Sequence, residues 1–102
     1  MKLNDALLAS IATQLMSGNE VVVDSRALPV GRTSSQKLRT VTFSSAGQTY
    51  QAIEQNPEKP SRWGKLARSG HHVVQFKDTA TNRFVAVVVD GKVMVYGRRH
   101  DS

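Results

Sequence analysis

The sequence predicts an α+β domain whose mostly antiparallel sheet packs with two helices, in the order α-β-β-β-α-β-β-β. Three observations carry that expectation. Asp90-Gly91 separates two valine-rich runs, Arg83 to Val89 and Lys92 to Tyr96. Leu3, Leu7, Ile11 and Leu15 recur every four residues. The remaining apolar runs are short and bounded by turn residues. An Asp-Gly pair between apolar runs is the strongest short-range hairpin signal, because a type I′ turn needs positive φ at both central residues. A leucine stripe on a helix needs a sheet or another helix to cover it. A small six-stranded barrel with helical lids is the runner-up.

The first element is a helix from Asn4 to Ser17, with Leu8 widening its apolar stripe. Asn4 suits the N-cap, Asp5 the positive end of the helix dipole, and Gly18 the stop. Its polar face, with Asp5, Ser10, Thr13 and Ser17, lacks the Lys and Arg of a membrane-surface helix. Packing on the chain's own sheet is expected, with a partner helix or a second copy as the alternative. Glu20 to Asp24 reads as a short buried strand. Ala27 to Val30 extends a sheet only at an edge, since Pro29 has no N–H to donate. Gly31 to Lys37 is a polar loop whose hydroxyls and flanking cations suit a phosphate. A Gly-rich nest leading into a helix is missing, so a solvated loop is expected there. Leu38 to Ser44 and Gln48 to Gln55 form a second hairpin around Ser45-Ala46-Gly47, with Val41, Phe43, Tyr50, Ala52 and Ile53 as inward candidates.

The second helix is placed at Pro60 to Arg68, with prolines early and Gly70 late. Trp63, Leu66 and Ala67 fall on one arc, and Arg62, Lys65 and Arg68 on the opposite half. Gly64 costs a helix interior about 1 kcal/mol relative to Ala; either another backbone approaches closely there, or the glycine is incidental. The runs 72–77, 84–89 and 92–96 then form a three-strand meander with 84–89 in the middle. That central strand is apolar on both faces, so both faces should be covered. A regular two-residue hairpin pairs Val89 with Lys92, Val87 with Met94 and Val85 with Tyr96. It sets Val88 with Val93, Ala86 with Val95, and Phe84 on the other face.

At 102 residues the chain is read as one domain spanning 1–102. It has no cysteine, which excludes disulfides, zinc thiolates and thiol nucleophiles. That suits the cytoplasm and a bacterial exterior alike, and argues against a disulfide-stapled secreted domain. No apolar run approaches the roughly 20 residues needed to span a bilayer. Lys2 is soon followed by Asn4 and Asp5, unlike a signal peptide. The expectation is a small, basic, bacterial-like cytoplasmic protein with no membrane partner.

Fourteen Lys and Arg against eight Asp and Glu leave a net charge of +6. Such an excess favours polyanions, and equally serves solubility. His71-His72 is the one pair inviting a metal, but adjacent strand residues point to opposite faces. With His100 near the terminus and no carboxylate close by in sequence, neither metal nor cofactor is expected. No serine sits in a G-x-S-x-G context. Ribonuclease-like chemistry with His71, Arg62 and Glu54 stands as a third reading. The stretch Glu54 to Trp63 is dense in unusual residues without carrying a recognisable signature. Arg62, Lys65 and Arg68 recur every three residues, about 4.5 Å apart along a helix, and Lys59 strengthens one end. No RNP pattern, GXXG loop, zinc finger or helix-turn-helix accompanies them. Trp63 and Tyr96 are candidates to stack on bases, although Trp63 lies on the inward arc. The sequence therefore points to a non-enzymatic domain binding DNA or RNA through Lys59, Arg62, Lys65 and Arg68. An acidic protein partner or a homodimer is the alternative.

Overall fold

A computed structural model of the chain describes residues 2–97. Helix α1 (Asp5–Ser17) starts where Asn4 Oδ1 accepts the Leu7 N–H at 2.8 Å. It stops at Gly18, whose extended backbone (φ −153°) turns the chain directly into a strand. Two antiparallel sheets follow. Strands β1 (Glu20–Val23) and β2 (Arg26–Pro29) form a separate ribbon. The larger sheet holds β3 (Gly31–Arg32), β4 (Arg39–Ser45), β5 (Gln48–Glu54), β6 (Val73–Asp78), β7 (Arg83–Val89) and β8 (Lys92–Tyr96), each beside its neighbour in sequence. Helix α2 (Arg62–Arg68) is an excursion between β5 and β6. The architecture is α+β, ending in the β6–β8 meander with β7 in the middle. Because β3 and β8 are the outermost strands and do not pair, the sheet is open rather than a barrel.

Three hairpins turn on two residues each: Asp24-Ser25, Ala46-Gly47 and Asp90-Gly91. All six residues have positive φ, from 51° to 82°, as type I′ turns require. The Asp90-Gly91 turn carries the textual signal for this geometry; Asp24-Ser25 reaches it without any glycine.

Several local expectations are corrected. Residues 26–29 pair with β1 instead of extending the main sheet, with Pro29 opposite Glu20 at the open end of the ribbon. Gly31 and Arg32 are a strand, paired with Thr40 and Arg39. The loop proper is 33–38, where Thr33 Oγ1 accepts the Leu38 N–H and Arg32 Nη1 donates to Lys37 O. Helix α2 starts at Arg62, because Ser61 caps it by accepting the Gly64 N–H. His72 is exposed and precedes β6 instead of lying within it.

The meander register also departs from regularity, twice. Past Val88–Val93 the next pair is Val87–Val95, so Met94 bulges out and Tyr96 pairs with Ala86. The slip brings Tyr96 to the α1 side, where its hydroxyl donates to Leu3 O at 2.7 Å. A second irregularity between β6 and β7 pairs Phe76 with Ala86 but Lys77 with Phe84. Val85 is the extra residue, and Phe84 consequently shares a face with Lys77, opposite to Ala86 and Val88.

One face of the sheet is the core. Leu8, Ile11, Ala12 and Leu15 of α1 pack there with Val41, Phe43, Ala52, Val74, Phe76, Ala86 and Val88, and Val21 and Val23 of the ribbon complete the cluster. Each fully buried aliphatic or aromatic side chain contributes about 1.5–3 kcal/mol. The other face is covered at one end only. Val73 and Val87 are buried there, where α2 adjoins β6; towards the other end it presents Thr42, Gln51, Lys77 and Phe84, of which Thr42 and Phe84 are exposed and Gln51 and Lys77 half-buried. No helix among the described residues is long and apolar enough to cross a membrane.

Candidate nucleic-acid interface

The segment joining β5 to α2 is built from backbone hydrogen bonds. Gln55 is buried; its N–H donates to Val73 O at 2.8 Å and its Nε2 to Asn56 O at 3.0 Å. Asn56 Oδ1 accepts the Glu58 N–H, an Asx turn that folds the chain back at Pro57. Lys59 O then lies against α2. A Cβ on Gly64 would stand 2.2 Å from that oxygen and 2.9 Å from its carbon. The glycine is therefore required by close backbone approach. Arg68 Nη1 donates to Pro57 O at 2.6 Å and Lys59 O at 2.9 Å, strapping the loop to the last turn of the helix. The dense stretch Glu54 to Trp63 is accounted for by this stitching.

The four cations named from the sequence are all exposed, but in different circumstances. Arg62 lies over the half-buried Trp63 ring, its guanidinium carbon 4.5 Å from the centroid. Arg68 is committed to the two carbonyls. Lys59 and Lys65 make no ion pair among the described residues, and the single ion pair there is His71–Asp90. Trp63 is thus engaged by Arg62, and Tyr96 is turned toward α1 and Leu3. Neither indole nor phenol is the open aromatic of the molecule.

That ring is Phe84, 56% exposed. Lys77 Nζ stands 5.9 Å from its centroid, and Phe84 shares a hollow of about 120 Å³ with Lys59, Ile53 and Gln75. The alternation of β6 carries the signal. With Phe76 inward and Lys77 outward, a tight 79–82 loop pairs Lys77 with Phe84 and turns that ring outward too. Register counted back from Asp90-Gly91 gives the opposite face, and the Val85 bulge reconciles the two.

A second constellation lies where the Asp90-Gly91 turn meets the start of β6. Asp90 Oδ2 is 2.7 Å from His71 Nδ1, Asp90 Oδ1 accepts the His72 N–H at 2.8 Å, and the Asp90 N–H donates to His72 O. The His72 N–H, and then the His71 ring, hold the Asp90 carboxyl below the usual carboxylate range. His71 and Glu54 line one hollow of about 320 Å³ together with Arg39, but Arg62 is not part of it. Glu54 Oε1 there accepts the Arg39 N–H at 3.0 Å. No group of three or more His, Asp or Glu suited to a metal occurs among the described residues; His100 lies outside them.

Compared with known proteins, the chain matches no protein-family model, no curated protein and no solved structure.

Proposed function

We propose that the chain is a small nucleic-acid-binding domain that holds phosphates with Lys59, Arg62 and Lys65, with Arg68 bracing the loop that carries Lys59. The observation supporting this reading is the arrangement of charge around α2. Arg62 and Lys65 are exposed on the helix, Lys59 is exposed on a loop fixed to it, and none of the three has an acidic partner among the described residues. A net charge of +6 draws a polyanion to the molecule, and three exposed cations carried by α2 and by the loop that Arg68 ties to it supply contacts to successive phosphates.

Fluorescence anisotropy with a labelled DNA duplex, an RNA duplex and single strands, at two salt concentrations, tests the reading. Three phosphate contacts give a log–log salt slope of about −3 for duplex and about −2 for single strands. Arg62→Glu/Lys65→Glu should abolish most of the affinity while leaving the thermal melt unchanged. Absence of binding to every nucleic acid at low salt ends the proposal.

Self-association is the second reading, favoured by one feature. Strand β8 is an edge of the sheet, and its Met94 and Val95 are exposed. Sedimentation that finds a monomer at all concentrations removes it.

A further inference from the structure

We infer that the sheet face turned away from α1 carries a base-stacking subsite for single-stranded nucleic acid, built on Phe84 between Lys59 and Lys77; this rests on the nucleic-acid reading above. A strand residue of this size would ordinarily be core. Here an inserted residue, Val85, reverses its side, so Phe84 leaves the cluster that Ala86 and Val88 join and stands 56% exposed. No other described aromatic side chain is exposed to this degree: Phe43 and Phe76 are buried, and Tyr50, Trp63 and Tyr96 are half-buried.

The surroundings suit a nucleotide. The Lys77 ammonium, 5.9 Å from the ring centroid, is at the outer limit of a cation–π contact, about 6 Å. It is therefore close enough to meet a phosphate beside a stacked base and too far to occupy the ring tightly. Lys59 borders the same hollow. The one acid there, Glu54, already accepts the Arg39 N–H. Gln75, half-buried on the same face, supplies an amide to a base edge. Bases inside a duplex are stacked on both sides and present no ring face to a sheet, whereas single strands offer theirs, and stacking tolerates any base. The same face is poorly suited to a second copy of this chain. Two molecules of charge +6 would bring Lys59 and Lys77 against their own kind.

The test is anisotropy with labelled (dT)12 and U12 single strands and a 12-base-pair duplex, using wild type, Phe84→Leu, Phe84→Tyr and Arg62→Glu/Lys65→Glu. Stacking predicts tighter binding of single strands than of duplex. Phe84→Leu, which keeps apolar area but removes the ring, should weaken single strands by about 5- to 100-fold and leave the duplex unaffected; Phe84→Tyr should retain wild-type affinity. If Phe84→Leu binds single strands like wild type while the Arg62/Lys65 variant fails, the subsite is overturned and the phosphate-binding reading stands. If wild type binds nothing, both fall. Dimerisation that Phe84→Leu abolishes assigns the ring to self-association and also overturns the subsite.

Discussion

Phe76 and Phe84 stand on neighbouring strands of one sheet, yet Phe76 is fully buried and Phe84 leaves more than half of its surface in water. The difference between them is the difference between the two faces of the sheet. One face meets the leucines of α1 and the valines of the ribbon, and its residues are chosen for packing. The other is covered by a seven-residue helix at one end, and its remaining positions hold Thr, Gln and Lys, the half-buried Ile53, the exposed Val95 and one ring. Stability resides in the first face. The second, relieved of packing, is where charge and an open aromatic collect.

Alanine at each phenylalanine gives the sharpest test of that contrast. Phe76→Ala opens a cavity beneath α1 and should cost about 3–5 kcal/mol. Phe84→Ala should stay within about 0.5 kcal/mol of wild type, as surface substitutions do. Urea denaturation measures both from the shift in midpoint at constant slope. Comparable losses would mean that the outer face is a second core, and that Phe84 is held by packing instead of being presented.

The next largest effect belongs to the partial cover of the outer face. An alanine at Gly64 gains helix propensity worth about 1 kcal/mol, but its Cβ meets Lys59 O at 2.2 Å, and that oxygen is backbone held by Arg68. Overpacking of this kind costs about 1–3 kcal/mol, so Gly64→Ala should be destabilising on balance. Hydrogen exchange should show the loss at α2 and the 56–61 loop, with α1 still protected. A stabilised variant would show that the loop lifts off the helix freely, leaving Lys59 without a fixed position beside Arg62 and Lys65.

How much of the two faces was legible from the residues follows the same division. The α1 stripe was legible from its four-residue period, and the Asp90-Gly91 hairpin from the residues of its turn. The inserted residues at Val85 and Met94 were not legible in any one run. Val85 is inserted because the 79–82 and Asp90-Gly91 turns demand different registers of β7, whereas β8 follows a single turn and its slip at Met94 sets Tyr96 opposite Ala86, where its hydroxyl reaches Leu3 O. Phe84 was accordingly assigned to the wrong side. Strand β3 escaped because two residues carry no period, and Arg68 looked like a ligand cation because its carbonyl partners are set by a fold-back at Asn56 that composition does not announce. Gly64 was the reverse case: a residue out of keeping with its helix, which the approach of Lys59 explains.

The smallest effect comes at the margin between the faces, where Asp90 ties the β7–β8 turn to His71 and His72 at the start of β6. Its carboxylate accepts the His72 N–H and the His71 ring, and both lower its pKa from the ordinary 3.8. A depressed carboxyl pKa contributes stability that is present above the unfolded-state value and is lost as pH falls through the folded-state value. Asp90→Asn keeps an amide oxygen for the His72 N–H and tolerates the positive φ of 51° at the turn, but it removes the charge facing both imidazoles. At neutral pH the variant should melt slightly below wild type, and the two melting curves should converge as the pH is taken below about 3.8. A gap that persists unchanged into acid would place the contribution of Asp90 in the geometry of its turn, and not in the charge that joins the two faces.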